Sequence, residues 1–244
     1  AIVWLACAIH VLRTGRPWYW FAVISMPVLG PLAYFLFEIL PELRHDPNVH
    51  RATSQVLRKI DPERERRRIH ERLQVADTPK NRFDLAEESL RMGDYQNASD
   101  LYSSCIGGVY ADDPRMLQGY AQAQYELGDF ARCRELLDHL IKKNPGYRSP
   151  SGHLLYARAL EGLREDAAAA SEYEAVVASF SGEEARVRQG LFLKSRGRDA
   201  EARKLFEESL ARAKVAPSYY RRDQKEWLRQ AEAELKLMNQ PRAA

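Results

Sequence analysis

The hydrophobic pattern divides the chain into three parts. From Trp18 to Phe37 no residue is charged. A membrane-spanning helix needs about 20 apolar residues, so this run is long enough to cross, although Pro27, Gly30 and Pro31 interrupt its middle. The apolar run from Ala1 to Leu12 is too short to span alone, and "RTGRP" (Arg13 to Pro17) reads as a polar turn between two apolar arms. From Leu43 to Asp77 the pattern turns charged and helical in propensity, with both signs mixed. From residue 83 a helix–turn–helix pattern recurs, and after Pro217 a polar helix carries one apolar stripe, Trp227, Leu228, Ala231 and Leu235. The expected fold is all-α: N-terminal transmembrane segment(s) over residues 1–42, a charged linker over 43–77, and a solenoid of about four repeats with a C-terminal capping helix over 78–244.

The recurrence has a measurable period. "LAEESLRMGDYQNASDLYSSC", "YAQAQYELGDFARCRELLDHL", "YARALEGLREDAAAASEYEAV" and "QGLFLKSRGRDAEARKLFEES" align on Gly93, Gly128, Arg164 and Gly197, which are 35, 36 and 33 residues apart. Small residues recur at the eighth position (Ala86, Ala121, Ala157, Gly190) and the twentieth (Ala98, Cys133, Ala169, Ala202). A bulky residue follows four later (Tyr102, Leu137, Tyr173, Phe206). Small residues let two helix axes approach, bulky ones fill the gap to the next unit, and glycine at the turn accepts a positive φ. A period near 34 with these positions resembles the tetratricopeptide repeats. Pro114 and Pro145 read as closing the first two repeats, and Arg164, in place of glycine, predicts a different turn in the third.

That resemblance implies a concave surface lined by the first helix of each repeat. The inward positions, second, fifth, ninth and twelfth, supply Lys80, Phe83, Glu87 and Leu90; then Arg115, Gln118, Gln122 and Tyr125; then Ser151, Leu154, Arg158 and Glu161; then Glu184, Val187, Leu191 and Lys194. The candidate groove is Phe83, Glu87, Gln118, Gln122, Tyr125, Arg158, Leu191 and Lys194, a mixed surface suited to a protein or peptide partner. Family members that clamp a C-terminal carboxylate use Lys and Asn at the fifth and ninth positions of the first repeat. Phe83 and Glu87 stand there, so that specificity is not implied.

The apolar start carries a second resemblance. "HVLRTGRPWYWFAVISMPVLGPLAYFLFEILPEL" is similar to the phospholipase D-nuclease N-terminal type of membrane segment, with Trp20, Pro27, Gly30 and Tyr34 at the matching places. The resemblance implies an anchor, built on Trp18, Trp20, Pro27, Gly30, Pro31 and Tyr34, and no activity. A phospholipase D site needs H-x-K, and none of the six histidines has a lysine two positions on. Two spans, one kinked span, a re-entrant hairpin and a buried core segment all fit the run. As a whole the chain is similar to bacterial membrane-anchored tetratricopeptide proteins. Arg13 and Arg16 lie on one side of the second segment and Arg44, Arg51, Arg58 and Lys59 on the other; by count the solenoid is expected on the cytoplasmic side of the inner membrane.

Composition narrows the chemistry further. The net charge is +3, no general basis for nucleic-acid binding. Mean hydropathy, −0.50, averages two unlike parts. Cys7, Cys105 and Cys133 are odd in number and far apart, against a disulfide framework and a cysteine zinc site. The arginine cluster Arg64, Arg66, Arg67, Arg68 and Arg72 reads as a solvated helix face or as a contact for anionic headgroups. No phosphate loop, metalloprotease or hydrolase motif occurs, so neither catalysis, cofactor nor metal is expected. The sequon at Asn97 falls on a repeat helix, Cys133 at a packing position. The start at Ala1, within apolar sequence, reads as that of a fragment. The expected function is a membrane-anchored scaffold; the rival is an accessory subunit of a lipid-metabolising membrane enzyme, contacted through the N-terminal segment.

Overall fold

A computed structural model describes residues 2–15, 17–26, 29–39, 60–107 and 110–240. The chain forms two compact units, residues 1–67 and 68–244.

In the first unit, α1 (Ile2–Thr14) meets α2 (Tyr19–Ile24) and α3 (Leu29–Tyr34), and a π-helical turn, Phe35–Ile39, prolongs α3. Gly15, at φ 65°, reverses the chain after α1. The long apolar run is therefore not one straight helix. Among the described residues no helix is long and apolar enough to cross a membrane; α1, with 13 residues, rises about 20 Å against a hydrocarbon core of about 30 Å. Pro31 lies inside α3 without an amide hydrogen to return to the preceding turn. Gly30 is required where α3 meets α2: a Cβ there would lie 2.0 Å from the Val23 carbonyl oxygen. Pro27 lies outside the described residues.

The hairpin's interior holds Cys7, Val11, Trp20, Ile24 and Tyr34. Polar atoms are turned inward with partners: the Tyr34 hydroxyl lies 2.9 Å from His10 Nδ1, and Trp20 Nε1 donates to Glu38 Oε1 at 2.9 Å. Trp20 and Tyr34, two of the expected anchor residues, pack edge to face at 5.0 Å. Their rings close the hairpin, while Trp18 remains 81% exposed.

In the second unit most of α4 (Arg64–Val75) leads into four helical pairs: α5 (Pro79–Met92) with α6 (Tyr95–Cys105), α7 (Pro114–Glu126) with α8 (Phe130–Lys143), α9 (Pro150–Gly162) with α10 (Asp166–Ser179), and α11 (Glu184–Ser195) with α12 (Asp199–Val215). Two further helices, α13 (Ser218–Asp223) and α14 (Lys225–Asn239), follow, so the expected single cap breaks at Gln224. Each second helix packs on the next first helix, α5, α7 and α9 lie side by side, and α14 covers α11 and α12.

The first helices start alike. Thr78, Asp113 and Ser149 accept from the backbone N–H of Asn81, of Arg115 and Met116, and of Gly152. Each is followed by proline at the first helical position, where a missing N–H costs nothing. Pro114 therefore opens the second repeat rather than closing the first. Such caps contribute about 1 kcal/mol each.

All four turns share one geometry. Gly93, Gly128 and Gly197 have φ of 81°, 83° and 74°, and Arg164 has φ of 62°. At each, the N–H of that residue and of the next return to the preceding helix, as in Arg164 N to Glu161 O and Glu165 N to Leu160 O, both 3.0 Å. The different turn expected from Arg164 does not occur. Packing of the flanking helices overrides a local preference worth about 1–2 kcal/mol.

The small residues at the eighth and twentieth positions are buried, as are the bulky ones that follow. In the fourth repeat a Cβ on Gly190 would lie 2.5 Å from Phe206 Cε1, so ring and helix backbone are in direct contact.

Where the other repeats carry their N-terminal proline, the fourth has Glu183, fully buried. Its carboxylate accepts from Arg186 Nη1 at 2.8 Å, Arg212 Nε at 3.0 Å and Tyr220 Oη at 2.7 Å. Its N–H donates to Gln224 Oε1 at 2.9 Å. One carboxylate thus ties α11 to α12 and α13.

Candidate functional site

The first helices present two clefts. The first, of about 380 Å³, is lined by Glu87, Leu90, Arg115, Gln118, Gln122 and Tyr147, among others. The second, of about 300 Å³, is lined by Tyr125, Arg158, Glu161, Tyr173, Arg188 and Leu191, with Gly162. Six of the eight expected groove residues line one cleft or the other: Glu87, Gln118 and Gln122 the first, Tyr125, Arg158 and Leu191 the second.

The other two are placed differently. Phe83 is 5% exposed and belongs to the core of the first repeat, edge to face with Tyr102 and covered by the Arg115 guanidinium at 5.1 Å. The cause lies in the stacking: the second position of one repeat folds over the fifth position of the repeat before. Ser151 meets Gln118 in the same way, at 3.2 Å, and Leu154 and Val187, at the fifth position of later repeats, are also buried. Lys194 is bound to Glu234 of α14 at 2.5 Å, so the cap occupies its ammonium group.

The two clefts differ in electrostatics. In the first, Arg115 and Glu87 neutralise each other at 2.8 Å, a solvent-exposed pair worth under about 1 kcal/mol. The Gln118 amide is engaged at both ends, its Oε1 accepting from Ser149 Oγ at 2.7 Å and Tyr147 Oη at 3.2 Å, its Nε2 facing Ser151. Gln122 donates to Glu126 at 2.6 Å. In the second cleft, the Arg158 guanidinium lies 4.2 Å over the Tyr125 ring. Its Nε is buried without a hydrogen-bond partner. Arg188 stacks on Trp227 of α14 at 4.6 Å and pairs with Glu184 at 2.8 Å. The Glu161 carboxylate accepts from Tyr173 Oη at 2.8 Å, and burial, then the Glu161 charge, pushes that phenol's pKa upward.

Arg188, Tyr173 and Tyr147 were not among the expected groove residues. Tyr173 had a visible packing role; Arg188 sits one residue past the buried fifth position, where the repeat pattern assigns no inward face. Burial pushes the Cys133 thiol up to about 12, leaving it a packing group without nucleophilic character at neutral pH. Asn97 donates to Ser89 at 2.8 Å from within α6, which removes its amide from the surface role a sequon requires. In the charged segment, Arg67 pairs with Asp61 and Arg72 with Asp84. Among the described residues no three His, Cys, Asp or Glu side chains gather to hold a metal ion.

Residues 89–159 match the tetratricopeptide repeat family model, and the helical solenoid has a tetratricopeptide-like fold. Similar solved structures include the thermophilic tetratricopeptide protein TTC0263 of Thermus thermophilus, at 18% identity and a TM-score of 0.54, covering 69% of this chain and 87% of that one. MamA from residue 41 to its end, of Desulfovibrio magneticus RS-1, is 13% identical with a TM-score of 0.56, covering 69% and 97%. Yeast Tom70 is 16% identical with a TM-score of 0.53, covering 90% of this chain and 46% of that one. At these identities the likeness is one of fold. Among curated proteins none matches the chain.

Proposed function

We propose that the chain is a non-catalytic scaffold that holds a protein or peptide segment on the concave face of its solenoid and is anchored to a membrane by its N-terminal hairpin. The observation that carries the groove reading is the pair of clefts on the first helices. They join half-buried aromatic and apolar side chains to polar groups on a rigid, repeat-built surface, the combination that binds extended segments. The family to which residues 89–159 match supports the same reading.

The anchor rests on the inside-out construction of the hairpin. The Tyr34 hydroxyl with His10 and the Trp20 indole with Glu38 pair polar atoms within the hairpin, while Leu12, Trp18, Leu29 and Phe37 are 71%, 81%, 67% and 73% exposed. In water this arrangement leaves apolar area uncovered; in hydrocarbon it satisfies the requirement that polar groups find partners within the segment. The resemblance of the N-terminal residues to phospholipase D-nuclease membrane segments supports it. The proposed location is the inner membrane, with the solenoid on the cytoplasmic side. Fixing the groove at a bilayer raises its effective concentration toward membrane-bound partners.

The anchor is tested by alkaline carbonate washing of membranes from cells that make the full chain. The expected result is retention in the pellet, and release into the supernatant when Leu12, Leu29 and Phe37 are changed together to Arg. Release of the unaltered chain would contradict the anchor. A second reading, an accessory subunit of a lipid-metabolising membrane enzyme, is favoured by the same outward apolar side chains, which could seat against another membrane protein. Replacing residues 1–42 with an unrelated anchor separates the two: a scaffold keeps its partner, and an accessory subunit loses its enzyme.

A further inference from the structure

The geometry points to a specific ligand chemistry in the second cleft: a carboxylate side chain of the partner, Asp or Glu, received by Arg158, with a neighbouring apolar side chain against Leu191. The inference rests on the groove reading and names what one part of the groove selects.

Charges on the solenoid are largely answered from within it. Arg91 pairs with Glu88, Arg115 with Glu87, Arg132 with Glu135, Arg134 with Glu165, Arg188 with Glu184 and Arg196 with Asp166. Arg158 differs. Among the described residues no carboxylate oxygen lies within ion-pair distance of it, and its Nε is buried without a hydrogen-bond partner. The buried Nε is closed to a ligand, but the Nη groups, which also make no hydrogen bond among the described residues, are left to take an acceptor from outside.

The group is also held in place before binding. The face of Arg158 rests on Tyr125, 4.2 Å from the ring centroid, which fixes the plane of the fork and reduces the freedom lost when it pairs. Arg188, stacked on Trp227 and paired with Glu184 at 2.8 Å, lines the same cleft. The one carboxylate lining the cleft, Glu161, is hydrogen-bonded to Tyr173. In the first cleft Arg115 is answered by Glu87 and in the second Arg188 is answered by Glu184, whereas Arg158 has no carboxylate within ion-pair distance among the described residues. Planar guanidinium matches planar carboxylate bidentately. A doubly charged phosphate would sit against Glu161 as well, so the carboxylate is favoured. Leu191, half-buried beside the arginines, supplies an apolar surface for the next side chain.

The test uses the full chain in detergent and a positional-scanning library of fluorescent decapeptides blocked at both ends, so that no terminal carboxylate is present. The expected result is a preference of roughly tenfold or more for Asp or Glu over Asn or Gln at one position. In Arg158→Gln that ratio falls to near one, while binding of the other positions persists; Arg158→Lys, which keeps charge and stem, recovers part of it. A thermal melt of each variant establishes folding. Should Arg158→Gln not fold, Arg158→Lys alone decides: loss of much of the acid preference is expected. Peptides that bind without acid preference, or a preference unchanged in both variants, would overturn the carboxylate assignment and leave the groove reading standing. A phosphoserine library favoured tenfold over glutamate would replace the carboxylate by a phosphate. If no peptide binds at all, the groove reading itself falls, and this inference with it.

Discussion

Changing Glu183 to Gln lowers the stability of the fourth repeat and its cap by about 3–5 kcal/mol, the usual effect of removing one partner from a buried charged network. The Glu183 side chain is wholly enclosed and Arg186 is nearly so, at 11% exposure. The amide loses the charge and keeps one acceptor oxygen, so its NH2 faces a donor on one side: either Arg186, left with only a marginal contact with Glu208 at 3.9 Å, or the pair Tyr220 and Arg212 loses its acceptor. For a chain of this size the melt shifts by on the order of 10 °C, and in a solenoid the loss falls first on the repeat concerned. A second change, Arg186→Met, restores part of it by removing the stranded cation. The pH dependence follows from the same group. Burial is the largest single influence and raises its pKa, but hydrogen bonds from Tyr220, Arg212 and Arg186 together outweigh it and hold the carboxyl below its ordinary range. A folded value below the unfolded one, about 4.3, means the stabilisation is fully present above that value. It is lost as pH falls through the depressed folded value, and the acid limb of the unfolding curve flattens in Glu183→Gln. A melt within a degree of the parent chain would contradict this account.

Phe206→Ala is the second large effect, about 3–5 kcal/mol. The ring is fully buried in the cluster that includes Leu154, Val187, Phe192 and Ala231. It lies directly on α11 at Gly190. Truncation removes apolar burial and leaves a cavity that two crossing helices cannot close. The contact also predicts coupling. Gly190→Ala alone destabilises, because its new methyl meets the ring; in a Phe206→Leu background, where the ring is gone, the same methyl is tolerated better. Chemical denaturation of the four proteins reads this directly, and additive effects would contradict the contact.

Much of the solenoid was legible because its constraints are periodic. Ala86, Ala98, Tyr102 and their counterparts repeat for one physical reason, two helix axes in close approach, and the reason leaves residue types behind. Local exceptions were less legible. Arg164 suggested an altered turn, yet the surrounding helices impose the same left-handed residue on it. Glu183 stands where the structure puts a proline in the other three repeats, and neither that nor the spacing of Arg186, Arg212 and Tyr220 in the chain reveals that the four converge. Of the expected groove positions, ninth and twelfth ones such as Gln122, Tyr125 and Arg158 line the clefts, whereas Phe83 is covered by the next repeat's Arg115, an inter-repeat contact that no single repeat encodes. In the N-terminal unit, the polar turn around Gly15 was legible in RTGRP, but the close approach at Gly30 and the inward pairing of Tyr34 and Trp20 were not, because hydropathy registers apolar length and not which side chains meet.

The most direct test of the scaffold reading is photocrosslinking in the native host, with benzoylphenylalanine placed at Gln122 on the first-helix face or at Glu207, exposed on the second helix α12. The account predicts a discrete crosslinked partner from position 122 and none from position 207. A partner captured from position 207 alone would place the interface on the other side of the solenoid and contradict the groove.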